Sequence, residues 1–359
     1  MHIHPNARKI VSKLTIPSPI KKYWSRDQWE IDLSNNTNPY VGGFSEYPDV
    51  KQEDIKNLYL SRIQQLNFFA DIKKEQNSKI TSENILFTVG SMEGIDILLR
   101  TFCEPNKDTI AVLHPTFSAY EHWALIHNLD VQQIPLSGQD LNTFSLEEVM
   151  NIKPRMIFIC NPNNPIGTTL TSAGIEKLCQ SIDGFVVVDE AYIEFSDQSS
   201  ALIYLNKYKN LIILRTFSKA WGLAGVRCGI ILADKPIIHS LRYVQLPFGL
   251  SAPTQDLVKQ CLSFPEKTFA SWQKIKNNRQ NLIKELSTIG AVERVFKSET
   301  NFLMLVLKDS PRVMQLLKEY KIQVLDCSTS IPHAIRVSLG TEDQNRKFIE
   351  VICKASRYR

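Results

Sequence analysis

Six short apolar runs alternate with helical patterns between about residue 84 and residue 232. Their hydrophobic residues are continuous rather than alternating, which is typical of strands buried on both faces of a mostly parallel sheet. The runs are NILFTV, TIAVLHP, MIFICNP, GFVVVDE, NLIILRT and CGIILAD. The segments EGIDILLRTF and TSAGIEKLCQSI have helical periodicity, and Thr171 is placed to cap the second helix. The pattern predicts an α/β domain in which helices cover both faces of the sheet.

The pattern changes after the last of these runs. A long, basic, amphipathic helix is predicted from Lys267 to Leu286. Strand-like FLMLVL, IQVLD and AIRVSLG then alternate with helical SPRVMQLLKEY and a last helix, which indicates a small α+β domain. The start of the chain is polar and interrupted by proline (IPSPIKK), as expected of an arm. We therefore expect an N-terminal arm at 1–30, a large domain at 31–250 and a small domain at 251–359.

Composition and charge narrow the class of function. The chain has 359 residues, 43% hydrophobic and 22% charged, which is ordinary for a globular protein. Its net charge of +5 is spread along the sequence, so we expect small-molecule substrates and no nucleic acid. No run approaches the roughly 18 apolar residues of a membrane span, and the N-terminus lacks the apolar core of a secretion signal. The seven cysteines form no C-x-x-C pair and suit a reducing compartment, so we expect a cytoplasmic protein.

Polar side chains follow several of the predicted strands. In doubly wound sheets, ligands collect outside the carboxyl ends of the strands. After NILFTV a helix begins near Gly90, Ser91 and Met92, and free N–H groups at a helix start favour an anion. MIFIC is followed by the turn NPNNPIG, which contains Asn164. The remaining polar residues lie at or after the ends of the strands GFVVV and NLIIL. They are Asp189, Tyr192, Thr216, Ser218, Lys219 and Arg227.

One ligand suits this set, because it combines a phosphate, a protonated aromatic nitrogen, a phenolic oxygen and an aldehyde. Thr216, Ser218 and Arg227 suit the phosphate. Asp189 would keep the ring nitrogen protonated, and Lys219 would react with the aldehyde. Taken singly, a lysine after a strand is commonly a solvated loop end, and N-P-N-N-P is commonly a turn. Their joint occurrence at strand ends indicates pyridoxal 5′-phosphate.

Motifs of other ligands are missing from the sequence. No G-x-G-x-x-G opens a helix and no G-x-x-x-x-G-K-[ST] occurs, which disfavours nicotinamide enzymes and ATPases. His2 and His4 stand at a terminus expected to be frayed, and we expect no metal. A non-catalytic cofactor sensor fused to a DNA-binding module is disfavoured, because the first thirty residues are too short for a winged helix.

The segments N-P-N-N-P-I-G, D-E-A-Y and T-F-S-K-A-W-G-L-A-G-V-R-C-G resemble those of fold-type I aminotransferases that depend on pyridoxal phosphate. Among these the chain is most similar to the histidinol-phosphate aminotransferase family. The likeness extends from LSNNTNPY near the N-terminus to IRVSLGT near the C-terminus. It implies the fold-type I architecture, a mostly parallel but mixed sheet between helices plus a small α+β domain. It also implies amino transfer between histidinol phosphate and 2-oxoglutarate in histidine biosynthesis.

The resemblance also implies a role for each residue at the strand ends. Lys219 forms the covalent link to the cofactor and later moves the substrate proton. Asp189 keeps the ring nitrogen protonated, and Tyr192 and Asn164 donate to the ring oxygen. Phe117 corresponds to an aromatic ring that stacks on the cofactor.

Further residues correspond to substrate and partner contacts of the family. Tyr47 corresponds to a tyrosine that reaches the cofactor phosphate of the neighbouring subunit, which implies a homodimer with shared sites. Arg336 corresponds to the arginine that binds the α-carboxylate of the substrate, a bidentate role that lysine fills poorly. Asn36, in the segment N-T-N-P, is expected to contact the substrate.

Two departures from the family concern the substrate phosphate. Asp326 stands where the family has a phosphate-binding arginine, and an acid there would repel the phosphate. Ser18 stands where the family has a tyrosine near the same phosphate, and Lys21, Lys22 or Tyr23 could replace it. These departures leave open amino transfer from an aromatic amino acid. Decarboxylation of the phosphothreonine type, on the same scaffold, is a further alternative.

Overall fold

The computed structural model describes residues 3–15, 31, 33, 35–66 and 80–357. Two β-sheets lie in these residues, one of seven strands and one of four. The seven strands of the large sheet are β1 (Ile85–Thr88), β2 (Thr109–His114), β3 (Asp130–Pro135), β4 (Met156–Cys160), β5 (Phe185–Asp189), β6 (Leu211–Thr216) and β7 (Gly229–Ala233). All six predicted apolar runs are strands of this sheet.

The strand order of the large sheet is β1-β7-β6-β5-β4-β2-β3. Strand β7 is antiparallel to both of its neighbours, and the other neighbouring pairs are parallel. The predicted mostly parallel, mixed sheet is therefore confirmed. Every residue of β4, β5, β6 and β7 is buried, as the continuous apolar runs indicated. The edge strand β3 was missed, because only one of its six residues is buried.

Helices cover both faces of this sheet. They are α1 (Glu53–Gln65), α2 (Gly90–Phe102), α3 (Ala119–Ile126), α4 (Leu146–Ile152), α5 (Ser172–Ser181), α6 (Lys235–Val244) and α7 (Ala252–Ser263). Alternate residues of each strand enter different core layers: Ile157 and Val186 join one layer, Met156 and Phe185 the other. Thr171 caps α5 as predicted, because its hydroxyl accepts from the backbone N–H of Gly174.

The small sheet is antiparallel throughout, with the order β10-β11-β9-β8. Its strands are β8 (Val292–Val295), β9 (Phe302–Leu307), β10 (Leu325–Asp326) and β11 (Ala334–Ser338). The helices beside it are α8 (Glu266–Leu286), α9 (Ser310–Glu319) and α10 (Glu342–Arg357). The predicted strand IQVLD is too long, because only Leu325–Asp326 pair with a neighbouring strand. The predicted domain limits at residues 30 and 250 stay predictions.

The first residues of the chain lie against the large sheet's helices. The backbone N–H of Arg8 donates to the Thr101 carbonyl of α2 at 2.9 Å, and Val11 is buried. Ser18, which replaces the family's tyrosine, and its possible substitutes Lys21, Lys22 and Tyr23 lie outside the described residues. Within the described ranges, no helix is long and apolar enough to cross a membrane.

Candidate active site

A cavity of about 440 Å³ opens where the carboxyl ends of β4, β5 and β6 meet residues of the small sheet. That volume is ordinary for a small-molecule site. Eleven of the predicted site residues line it: Ser91, Met92, Phe117, Asn164, Asp189, Tyr192, Thr216, Ser218, Lys219, Arg227 and Arg336. The fold therefore brings together side chains that are far apart in the sequence, and their individual roles stay predictions.

Asp189 lies at the end of β5, and its side chain is held from two sides. Its Oδ2 accepts from the Tyr120 hydroxyl at 2.7 Å, and its Oδ1 accepts from the Ala191 backbone N–H at 3.1 Å. Burial raises the pKa of Asp189 to about 6, although both hydrogen bonds oppose the shift. Each oxygen keeps a lone pair for a further donor. The carboxylate is thus poised to receive an N–H group from a ligand.

Lys219 lies in the turn that follows β6 and extends into the open cavity. Its Nζ lies 5.7 Å from the centroid of the Tyr192 ring. The side chain is exposed as a whole, but partial burial of its amine lowers the pKa of Lys219. The positive charge of Arg336 lowers the pKa further, while Asp189 opposes the shift. A larger fraction of the amine is therefore neutral at physiological pH, as a nucleophile requires.

Thr216, Ser218 and Arg227 lie at one end of the cavity. The Arg227 guanidinium donates to the Ser218 hydroxyl at 3.4 Å, and the Ser218 backbone N–H donates to the Thr216 hydroxyl at 3.1 Å. A Cβ atom on Gly90 would lie 2.5 Å from Nη2 of Arg227, and Gly90 has a φ of +71°. Glycine at the start of α2 therefore makes room for the guanidinium. Together these groups form a cationic, donor-rich end suited to a phosphate.

Arg336 on the small sheet meets Asn164, which lies in the turn after β4 of the large sheet. Arg336, on β11, donates through Nη1 to Oδ1 of Asn164. Its guanidinium also lies over the Phe302 ring, 5.0 Å from the centroid. The hydrogen bond and the ring hold the guanidinium in one place while part of its donor fork faces the cavity. This arrangement suits an anionic group of a substrate.

Tyr120 is a site residue that the sequence did not single out. Its ring stacks on Phe158 with centroids 4.9 Å apart, and Phe117 meets its edge at 5.6 Å. Through this packing the Tyr120 hydroxyl is fixed where it can hold Asp189. A tyrosine on a helix shows no pattern of its own, so no signal in the sequence identified it.

Two predicted residues are placed away from the cavity within this one chain. Tyr47 stacks on Phe248 with centroids 4.5 Å apart, and its side chain is exposed. Asn36 is exposed and does not line the described part of the cavity. Because Tyr47 is expected to serve a neighbouring subunit, a single chain does not test its role.

Asp326 lies in the wall that the small sheet adds to the cavity. Its carboxylate accepts from the Ser328 backbone N–H at 2.9 Å, and hydrogen bonding by Ser328 lowers the pKa of Asp326. The side chain therefore carries a negative charge at neutral pH. Its neighbours in this wall include Thr329 and Ser330, which carry hydroxyl groups and no positive charge.

Comparison with known proteins identifies the family of the chain. A model of the family "Aminotransferase class I and II" matches residues 30–352. A histidinol-phosphate aminotransferase from Cytophaga hutchinsonii is 32% identical over 339 residues, covering 91% of this chain and 93% of the relative.

Two solved structures share the fold. A histidinol-phosphate aminotransferase from Sinorhizobium meliloti, in complex with pyridoxal-5′-phosphate, aligns with a TM-score of 0.75 at 18% identity, over 99% of this chain and 88% of the other. An L-threonine-O-3-phosphate decarboxylase from Porphyromonas gingivalis aligns with a TM-score of 0.71 at 21% identity, over 94% of each chain. The match of the family model over most of the sequence shows that this chain belongs to the class I and II aminotransferases.

Proposed function

We propose that this chain is a pyridoxal-phosphate-dependent aminotransferase that converts L-histidinol phosphate and 2-oxoglutarate to imidazole acetol phosphate and L-glutamate. This reaction places it in histidine biosynthesis. The observation that carries the proposal is the similarity to the histidinol-phosphate aminotransferase from Cytophaga hutchinsonii, which is 32% identical over 91% of this chain. The arrangement of the cavity supports the same chemistry.

The residues present fit the cofactor. The donors at Ser218 and Arg227 suit its phosphate, and the space above Gly90 is kept free for that guanidinium. Asp189 offers a buried carboxylate with lone pairs for a ring N–H. Lys219 provides an amine whose pKa is lowered by burial. Phosphate, ring and aldehyde binding groups therefore share one cavity.

When bound, pyridoxal phosphate supplies an electron sink and carries the amino group between the two substrates. The carboxylate of Asp189 accepts a hydrogen bond from the ring nitrogen and keeps that nitrogen protonated. Tyr192 and Asn164 bind the ring oxygen, and Phe117 packs against the ring. Lys219 removes the proton from the substrate Cα and delivers it to C4′ of the cofactor.

Arg336 binds the anionic group of each substrate in turn. Its contacts with Asn164 and Phe302 fix the planar guanidinium, whose N–H groups pair with a carboxylate or a phosphate. We further propose a homodimer in which Tyr47 contacts the cofactor phosphate of the neighbouring subunit. The exposure of Tyr47, away from the cavity of its own chain, supports this role.

Asp326 favours a second candidate, amino transfer from an aromatic amino acid. A carboxylate in the substrate wall disfavours a second phosphate contact there, whereas a neutral ring would be tolerated. A decarboxylase of the phosphothreonine type is a weaker candidate, supported by the shared fold alone.

The test is a donor panel with the purified, cofactor-loaded enzyme. Glutamate formation from L-histidinol phosphate and 2-oxoglutarate, at a higher kcat/KM than from phenylalanine or tyrosine, supports the proposal. Faster turnover of an aromatic amino acid would support the second candidate. Release of CO2 from phosphothreonine without glutamate would support the decarboxylase.

A further inference from the structure

A buried charged cluster lies behind the cavity. Its members are Glu190, Glu194, Ser200, Arg215 and Tyr59, and in the described structure none of them lines the cavity. The side chains of Arg215 and Glu190 are 1% and 0% exposed. Charges this deeply buried are uncommon, because each loses its contacts with water and must replace them with hydrogen bonds to protein groups.

Arg215 and Glu190 are joined by an extensive hydrogen-bond network. Arg215 donates to Oε2 of Glu190 from Nε at 3.0 Å and from Nη2 at 2.8 Å. Nη2 also donates to the Ser200 hydroxyl at 2.8 Å, and Nη1 donates to the Tyr59 hydroxyl at 3.3 Å. The Ser200 hydroxyl donates to Oε2 of Glu190 at 2.7 Å, and the Ala201 backbone N–H donates to Oε1 at 2.6 Å. Both charged groups are thus fixed from several directions.

The second carboxyl of the cluster extends it to the turn that carries Lys219. Trp221 donates through Nε1 to Oε1 of Glu194 at 3.1 Å. Burial raises the pKa of Glu194 to about 7, and the charge of Arg215 opposes this shift. Trp272 donates to the Ala220 carbonyl at 2.5 Å and holds the same turn from another side.

Two cluster members, and the tryptophan that donates to Glu194, stand beside or near residues that we assign to the cofactor. Glu190 directly follows Asp189, Arg215 directly precedes Thr216, and Trp221 stands two positions after Lys219. A shift of the pair would therefore move the ring-binding carboxylate and the phosphate-binding end together. Stability alone does not require such a pair, because apolar residues of similar volume often replace a buried ion pair without loss.

We propose that Glu190 and Arg215 are positioning residues that hold Asp189 and Thr216 in the arrangement that binds the cofactor. The inference rests on the proposed function, since it assumes that these two residues contact pyridoxal phosphate. It also has an electrostatic part. The negative charge of Glu190 raises the pKa of Asp189, and Arg215 balances that charge next to it.

The test compares E190Q, the double variant E190Q/R215M and the wild-type holoenzyme. Lys207→Met serves as the matched control, because it breaks an exposed ion pair with Glu176. Three quantities are measured for each protein: the cofactor dissociation constant, Tm, and the pH midpoint of the visible absorbance band of the bound cofactor.

E190Q leaves an unbalanced buried cation, so we expect its midpoint to fall by roughly one pH unit. We expect its cofactor dissociation constant to rise about tenfold or more, as for other supporting residues behind a binding site. The double variant removes both charges, so its midpoint should return towards the wild-type value while its dissociation constant stays raised. Lys207→Met should change neither quantity.

A lower Tm with wild-type dissociation constant and midpoint in E190Q would overturn the inference, since a purely structural pair behaves in this way. If E190Q does not fold, the double variant decides, because it removes both buried charges and leaves neither one unbalanced. A raised dissociation constant in the double variant supports the inference, and a wild-type value overturns it. Failure of the wild type to take up the cofactor would instead refute the proposed function.

Discussion

The two walls of the cavity differ in how firmly their side chains are held. On the large-sheet wall, Asp189 is 3% exposed and accepts two hydrogen bonds. On the small-sheet wall, Leu325 is 47% exposed, and Asp326 is exposed and hydrogen-bonded to the nearby Ser328. Asp189 is thus fixed for chemistry, whereas Leu325 and Asp326 on the other wall are free to vary with the substrate.

The same difference affects the titration of the two acids. Burial raises the pKa of Asp189 to about 6, whereas a hydrogen bond lowers the pKa of the exposed Asp326. Desolvation therefore dominates on one wall and local hydrogen bonding on the other. We infer that substitutions on the first wall change the chemistry and that substitutions on the second change the choice of substrate.

The largest effect is expected for Lys219→Ala, since no other amine is assigned to move the substrate proton. We expect kcat to fall by about a thousandfold or more, as for loss of a catalytic acid–base group. Single-turnover kinetics with L-histidinol phosphate measure the loss. Lys207→Ala, at an exposed lysine, is the control, and undiminished turnover by Lys219→Ala would refute the role of this residue.

Asp189→Asn is expected to change the pH dependence of stability in the cofactor-free protein. The pKa of Asp189 is raised on folding, so the folded state binds its proton more tightly and the burial cost is present above about pH 6. The variant should therefore gain up to about 3 kcal/mol in free energy of unfolding at pH 8, and less than about 1 kcal/mol near pH 4. Urea unfolding at the two pH values measures the difference.

Asp326→Asn provides the contrast for that experiment. The pKa of Asp326 is lowered on folding, so its replacement should remove stability at pH 8 rather than add it. A gain at pH 8 in both variants would contradict the distinction between the buried and the exposed wall.

Arg336→Lys tests the anion-binding group of the small-sheet wall. Lysine keeps the charge but loses the bidentate fork, so we expect kcat/KM to fall about 10- to 100-fold for both substrates, mainly through KM. Steady-state kinetics with each substrate varied in turn measure this change. A fall in kcat with unchanged KM would place Arg336 in the chemistry instead.

Asp326→Arg should have the smallest effect and the opposite sign. A cation in the exposed wall attracts phosphate, so we expect KM for L-histidinol phosphate to fall a few-fold, on the order of one exposed charge pair. The KM for an aromatic donor should not fall. A raised KM for histidinol phosphate would show that Asp326 assists its binding.

Much of the fold follows from the sequence, because buried strands need continuous apolar runs. Asp130–Pro135 did not follow, since an exposed edge strand can be polar. IQVLD was predicted as a full strand because its composition is strand-like, but only its last two residues pair. Local pattern thus identifies strands in the core better than strands at an edge.

The candidate site followed from the sequence only in part. Polar residues at strand ends stand out after apolar runs, which is why Asp189 and Lys219 were predicted. Tyr120 and the Glu190–Arg215 pair act through contacts between distant segments, and no local spacing shows them. The role of Tyr47 depends on a second subunit and stays a prediction.

The central claim is that Lys219 carries the cofactor at the end of β6. Reduction of the holoenzyme with borohydride fixes the covalent link, and peptide mapping by mass spectrometry then locates it. We expect the added mass of the reduced cofactor on the segment from Thr216 to Arg227, at Lys219. The same mass on another lysine, or no addition in an enzyme that shows the visible band, would contradict the account.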